Sequence, residues 1–446
     1  MEPTTEADPT HRQSRAERVD AQTPASRNRV VDFLRAAAIT VVVLGHWTLV
    51  AVHVDSGIAP HGLLDTARWT HPLTWLFQVM PIFFLVGGYS NALSWRSARR
   101  RNESYATWLR ARLRRLGLPL IPLLLCWLLA CVVMLAAGVP AVTAQLASQM
   151  ALIPTWFLAA YLMVVVVAPG CLVLWEKFGW WSIVAGIALA GVVDVISIGI
   201  ESPLAGYPNY LLVWASFHQF GFAWLDGRLA GRARRWLLVA IGAVGLGLLV
   251  GLGPYPVSMI SAGSDEISNS SPTRVTMAFL GMMQAGLVLL LEKPLDSALR
   301  RPRLWFATVV VNQRIMTWFL WHLTAMVAVA YTLLGVGGFG LHLRPLSGAW
   351  WATRPLWWLA LLAVTGVLVL IFGRFETPRP DERPAPALWR PVLAAIAVCA
   401  GLAVLAKSGM VGESGINWVW PLLPVGGMVL FGVVARPRRT AADRSS

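Results

Sequence analysis

Four ionisable side chains sit deep in apolar stretches of this 446-residue chain: His46, Asp194, His218 and His322. A group that can carry charge is costly to hold in a lipid-spanning segment, so each one marks a candidate proton path, ligand site or reaction centre. An imidazole takes up a proton near neutral pH, which is what a hydroxyl must lose when it attacks an acyl group. A carboxylate such as Asp194 would orient that imidazole. Each group also has a plain structural use, as a histidine bonded to a backbone carbonyl or an aspartate meeting a polar partner on the next helix. His53 and Asp226 stand nearer the ends of their apolar runs.

Helical periodicity relates these groups to a cation. Arg35 and His46 are eleven residues apart, close to three full turns, so they share one helix face with about 16 Å between them along the axis. Counted at 1.5 Å per residue from the basic end of each span, His46 lies roughly 20 Å deep, Asp194 about 21 Å, His218 about 15 Å and His322 about 12 Å. Four titratable groups from four helices are therefore expected at comparable depth.

Two further features could serve a ligand. Residues 95–115 carry Arg96, Arg99, Arg100, Arg101, Arg110, Arg112, Arg114 and Arg115 just before an apolar span. Guanidinium forks hold phosphates bidentately, although such clusters also set topology or meet anionic lipid. The run Phe83-Phe84-Leu85-Val86-Gly87-Gly88-Tyr89-Ser90-Asn91 offers small residues past which an extended ligand or a second helix could pass closely. No G-x-S-x-G, H-E-x-x-H or P-loop pattern occurs, which removes serine hydrolases, zincins and ATP-driven pumps. Cys126, Cys131, Cys171 and Cys399 fall in apolar runs without metal spacing, so no metal site is expected.

The elements that carry these residues follow from composition. With 57% hydrophobic and 13% charged residues and a mean hydropathy of +0.61, the chain is too apolar for a soluble enzyme. Windows long enough to cross a bilayer fall near 33–54, 72–94, 116–138, 155–175, 180–200, 209–230, 236–254, 273–292, 314–337, 354–373, 390–409 and 417–435. With the N-terminus inside, 32 of the 37 Lys and Arg residues fall on the cytoplasmic side and only Arg68, Arg274, Arg344, Arg354 and Lys407 face out. This predicts an all-α polytopic bundle of about twelve spans with both termini cytoplasmic. The net charge of +15 is thereby a topology signal, and no nucleic-acid partner is expected. Residues 1–28 read as a disordered cytoplasmic tail, 374–389 as a cytoplasmic linker, 390–435 as two additional helices and 436–446 as a basic cytoplasmic tail. A transporter or flippase using a His/Asp proton relay would suit the same span count, although no internal repeat supports it.

The segment from Arg29 to His46 resembles the opening of the acyltransferase 3 family of integral membrane acyltransferases, whose hallmark is an Arg and a His separated by ten residues in the first span. Arg35 and His46 reproduce that spacing after Asp32. Supporting matches are Phe-Phe-Leu-x-Gly-Gly at 83–88, Arg112 and Arg115 before Leu116 and Pro119, Trp156-Phe157-Leu158, and Leu320-Trp321-His322. The second span departs from the usual Ser-Gly-Phe, reading Gly88-Tyr89-Ser90. The resemblance covers residues 29–373 and leaves the last two helices outside it. It implies transfer of an acyl group, commonly acetyl, from cytoplasmic acyl-CoA as co-substrate to a hydroxyl of a carbohydrate-containing acceptor in a bacterial-type cell membrane. No permanently bound cofactor is implied. On that reading Arg112, Arg115 and Arg35 hold the CoA phosphates, the pantetheine arm rises past Gly87 and Gly88, and His46 is the base. Asp194, His218 and His322 would complete the catalytic set, with Asp32 and Trp156 orienting it.

Overall fold

A segment crossing lipid has no water to satisfy its backbone and must close its hydrogen bonds internally, which for this composition means helices. The computed structural model describes residues 14–53, 59–261, 267–338, 340–376 and 387–433. In chain order the helices are α1 (Arg15–Ala21), α2 (Arg29–Leu49), α3 (Met80–Arg100), α4 (Tyr105–Gly117), α5 (Leu120–Ala136), α6 (Ala141–Leu152), α7 (Pro154–Phe178), α8 (Trp180–Gly199) and α9 (Asn209–Leu225). They continue as α10 (Arg232–Leu252), α11 (Thr276–Leu290), α12 (Glu292–Leu299), α13 (Pro302–Gln313), α14 (Ile315–Gly335), α15 (Gly348–Phe372), α16 (Trp389–Ser408) and α17 (Val419–Leu430). One-turn helices and two small hairpins, β1 (Val50–His53) with β2 (Ala59–Gly62) and β3 (Val411–Gly412) with β4 (Gly415–Ile416), fill the connections.

Each of the twelve predicted windows holds a helix, but fewer qualify as spans. Among the described residues, eight helical stretches are long and apolar enough to cross a membrane, or ten if α4 with α5, bent by 42°, and α11 with α12, bent by 54°, each count once. The shortfall lies in α9, held to 17 residues between Pro208 and Asp226, and in α17, with 12 residues. The first bend sits at Leu118-Pro119, where a proline cannot donate into the preceding turn. His53 falls on β1 rather than in the first helix.

Part of the segment expected to be disordered is ordered. Ser14 and Glu17 form a capping box that starts α1, and α1 packs on α13. Arg29 ties the strap down, bonding Asp20 at 2.6 Å and the Leu299 carbonyl at 2.9 Å, with its guanidinium 4.9 Å above the Trp305 ring. Residues 1–13, and the predicted basic tail from 434 onward, lie outside the described residues.

The centre of the bundle is built by α2, α3, α7, α9, α11 and α14. Helix α2 packs against α3, α13 and α14, and α3 against α9 and α11. The closest helix contact near the site is glycine-made: a Cβ on Gly88 would stand 1.9 Å from the His218 carbonyl oxygen, and one on Gly221 would stand 2.2 Å from the Leu85 oxygen. Only glycines let α3 and α9 approach this closely. Helices α16 and α17 pair with each other, and α16 leans on α7, where Thr155 donates to the Leu402 carbonyl at 3.1 Å. The four cysteines are free thiols.

Candidate active site

Two of the four predicted deep groups meet. His46 Nδ1 lies 2.8 Å from His322 Nε2, with the rings stacked at 5.1 Å and 3° from parallel. Packing of α2 on α14 sets the pair, and Trp47, the next residue on α2, donates its indole N–H to the His322 carbonyl at 3.1 Å.

The tautomers follow from one further bond. His322 Nδ1 is 2.7 Å from the Phe319 carbonyl oxygen, which can only accept, so Nδ1 carries the proton. In the neutral ring Nε2 is then an acceptor, and His46 must donate to it from Nδ1. The His46 proton is thus committed to His322, and the lone pair falls on His46 Nε2. That nitrogen has no hydrogen-bond partner among the described residues. His322 is sealed from solvent while His46 is half-buried, so the reactive nitrogen belongs to the more accessible ring. The arrangement matches the logic of a base held in one tautomer by a second group, with an imidazole and a carbonyl where a triad uses a carboxylate.

The other end of the same α2 face is cationic. Arg35 donates to Ser90 Oγ at 2.7 Å and to Asp32 at 3.2 Å. Asp32 is itself held by Arg27 at 2.6 Å, and its backbone carbonyl accepts from Asn312 at 2.9 Å. Arg112 and Arg115 on α4 and Tyr161 on α7 lie within electrostatic reach of Arg35. The Arg112 guanidinium also lies 5.7 Å over the Trp108 ring. Three guanidinium groups, only one of them salt-bridged to an aspartate among the described residues, converge from α2 and α4 on one region suited to phosphates. Three arginines at the end of α3 are spent otherwise: Arg96 pairs with Asp226 and Glu176, Arg99 with Glu176 at 3.2 Å, and Arg101, just past the helix end, with Glu103 at 2.7 Å. Trp175 donates to the same Asp226 at 2.8 Å, so this network clamps the ends of α3, α7 and α9.

Aromatic rings connect the two ends. Phe319 stands 6.1 Å from His322 and 5.3 Å, edge to face, from Phe157. Phe157 and Phe83 in turn flank Tyr161, at 6.1 and 5.3 Å. A Cβ on Gly87 would fall 2.8 Å from the Tyr161 ring, so Gly87 borders this aromatic run.

Three expectations are corrected. Asp194 does not orient a histidine. It is fully buried and accepts from Asn209 at 2.8 Å, Tyr255 at 3.2 Å, Arg274 at 3.2 Å and the Val275 backbone N–H at 2.8 Å, tying α8, α9 and the 253–275 connection together. His218 is also structural: Nδ1–H donates to the Phe84 carbonyl at 3.2 Å and Nε2 accepts from Asn91 at 3.4 Å, leaving no free nitrogen. Gly88 faces the α9 backbone and leaves no room for a ligand on that side. Trp156 is partly buried, with its ring 6.3 Å from both Phe157 and Tyr210, a contact between α7 and α9.

Sequence reasoning assigned no role to Ser90, Tyr161, Phe319 or Glu376. The Glu376 carboxylate accepts from the Met316 and Thr317 backbone N–H groups at 2.9 and 3.0 Å and from the Thr317 hydroxyl at 2.8 Å. It thereby caps α14 one and a half turns before His322. Ser90, Tyr161 and Glu376 act through partners far away in the chain, whereas Phe319 acts on His322 one turn along its own helix.

No curated protein and no solved structure gives a significant match to the chain. The profile of the acyltransferase 3 family, an acyltransferase domain, matches residues 28–374. That match takes in both guanidinium-bearing helices, α2 and α4, and the His46–His322 pair, and with the multi-pass helical fold it shows that the chain belongs to the acyltransferase 3 family of membrane acyltransferases.

Proposed function

We propose that the protein transfers an acyl group, commonly acetyl, from cytoplasmic acyl-CoA to a hydroxyl of a carbohydrate-containing acceptor, such as an envelope glycan, glycolipid or glycosylated metabolite. The observation that carries this reading is the bare His46 Nε2, fixed by His322, on the same helix face as Arg35 and about three turns from it. Arg35, Arg112 and Arg115 hold the CoA phosphates at the basic end of the bundle, taken as cytoplasmic from the loop charges. The pantetheine arm then lies along Gly87, Tyr161 and Phe157, and the thioester reaches His46.

In the reaction the acceptor O–H gives its proton to His46 Nε2 as its oxygen bonds to the thioester carbonyl carbon. The C–S bond breaks, and the CoA thiolate takes that proton from the imidazolium, giving ester and CoA thiol. The charge on His46 is spread to His322, which can receive the Nδ1 proton while its own Nδ1–H stays on the Phe319 carbonyl. The same lone pair would act as a nucleophile in a covalent route, which quenched-flow trapping of acyl-enzyme distinguishes from direct transfer.

Purified protein supplied with acyl-labelled acetyl-CoA and membrane extract from its source cells should release CoA thiol and label a carbohydrate fraction. His46→Ala should lower that rate by about 10²–10⁴-fold. A transporter would do neither, and labelling that survives His46→Ala would refute the assignment.

A further inference from the structure

Helix α15 holds a charge for which the described residues supply no counter-ion. The Arg354 side chain is 4% exposed and lies between two indoles, 4.2 Å from the Trp350 ring and 5.1 Å from the Trp357 ring. No carboxylate or carbonyl bonds it among the described residues, and its Nε is sealed without a partner. The indole N–H groups of Trp357 and Trp358 are orphaned in the same way.

Residues 354, 357 and 358 stand at i, i+3 and i+4 and so share one helix face. All three groups donate and none can accept, and a guanidinium cannot shed its charge. Stacking on the indole faces offsets part of the burial of the cation, but it leaves the N–H donors, which lie in the planes of their groups, unanswered. The two Nη nitrogens are not among the sealed atoms, so the tip of the fork opens to accessible space. What is missing is a negatively charged group with several acceptor oxygens.

We propose that the Nη tip of Arg354, held by the Trp350 and Trp357 rings, binds the phosphate of a membrane lipid. Phosphate supplies both the charge and the multiple acceptors that this fork lacks. A lipid is favoured over a free anion because the flanks of the same helix segment are apolar and open: Trp351 is 44% exposed, and Leu356 and Leu359 are each 62% exposed. The site is distinct from the histidine pair. Phe372, whose ring stacks 4.0 Å from Trp321 beside His322, is 18 residues further along the helix, about 27 Å from Arg354 along the axis.

The test is native mass spectrometry of the full-length protein in maltoside micelles, with dioleoyl phosphatidic acid, dioleoylglycerol and inorganic phosphate as probes. Phosphatidic acid should remain bound and dioleoylglycerol should not. Arg354→Gln should weaken the adduct about tenfold or more, with Arg354→Lys intermediate. His46→Ala should bind as wild type does. Should Arg354→Gln fail to fold, Arg354→Lys keeps the charge but loses the two-pronged fork, and should still weaken binding severalfold. Equal retention of dioleoylglycerol, unchanged binding by the foldable variants, or displacement of the lipid by equimolar inorganic phosphate would each overturn the proposal.

Discussion

His322 gives its Nδ1 proton to its own helix, at the Phe319 carbonyl 2.7 Å away, and so leaves His46 a single tautomer in which Nδ1 is the donor and Nε2 is bare. A residue sealed in the core thus sets the chemistry of a half-buried one.

From this relation His322 is a positioning residue whose replacement can be graded. His322→Phe keeps a flat ring against His46 but removes the acceptor, and should lower kcat by about 10²-fold or more with KM for acyl-CoA little changed. His322→Gln restores an acceptor oxygen near the same place and should recover part of kcat. Equal losses for both variants would show that the ring serves packing alone.

Arg112 and Arg115 should act on donor binding. Replacing either by Gln should raise KM for acyl-CoA roughly ten- to a hundredfold, the equivalent of about 1.5–3 kcal/mol for a charge-assisted bond, with a smaller effect on kcat. Arg96→Gln is the control. Its partners are Asp226 and Glu176, so KM should hold while stability falls by about 1 kcal/mol or less, as for other exposed pairs. Steady-state kinetics and thermal melts on the same preparations separate the two outcomes.

Asp194→Ala strips the buried Arg274 of its counter-ion and Val275 of its acceptor. The loss of a buried ion-pair partner costs about 3–5 kcal/mol, so the melting temperature should fall sharply. Protein that remains folded should keep its kcat and KM. A kcat loss in folded Asp194→Ala protein would return this residue to the catalytic set.

The two adjacent glycines of α3 should behave differently. Gly88→Ala drives a methyl group into the His218 carbonyl and should destabilise by at least the ~1–3 kcal/mol typical of overpacking. Gly87→Ala meets only the tip of the Tyr161 side chain, which can rotate. It should leave the melting temperature nearly unchanged and raise KM for acyl-CoA.

Much of this was legible in the order of residues. Apolar runs with basic loops specify a helical membrane bundle, because lipid permits few other folds. The interval from Arg35 to His46 puts both on one face, because the helical repeat is local and needs no partner. The family match likewise follows from motifs along the chain. What local periodicity cannot supply is which faces of different helices meet. His46, Asp194, His218 and His322 were expected at comparable depth, yet only His322 reaches His46. His218 is consumed at the glycine-made contact of α3 with α9 and Asp194 by Arg274, Tyr255 and Asn209. Depth is a coordinate along one helix, whereas partnership depends on how each helix is rotated and on the small residues that let its neighbours approach. Those are settled only when the whole bundle packs.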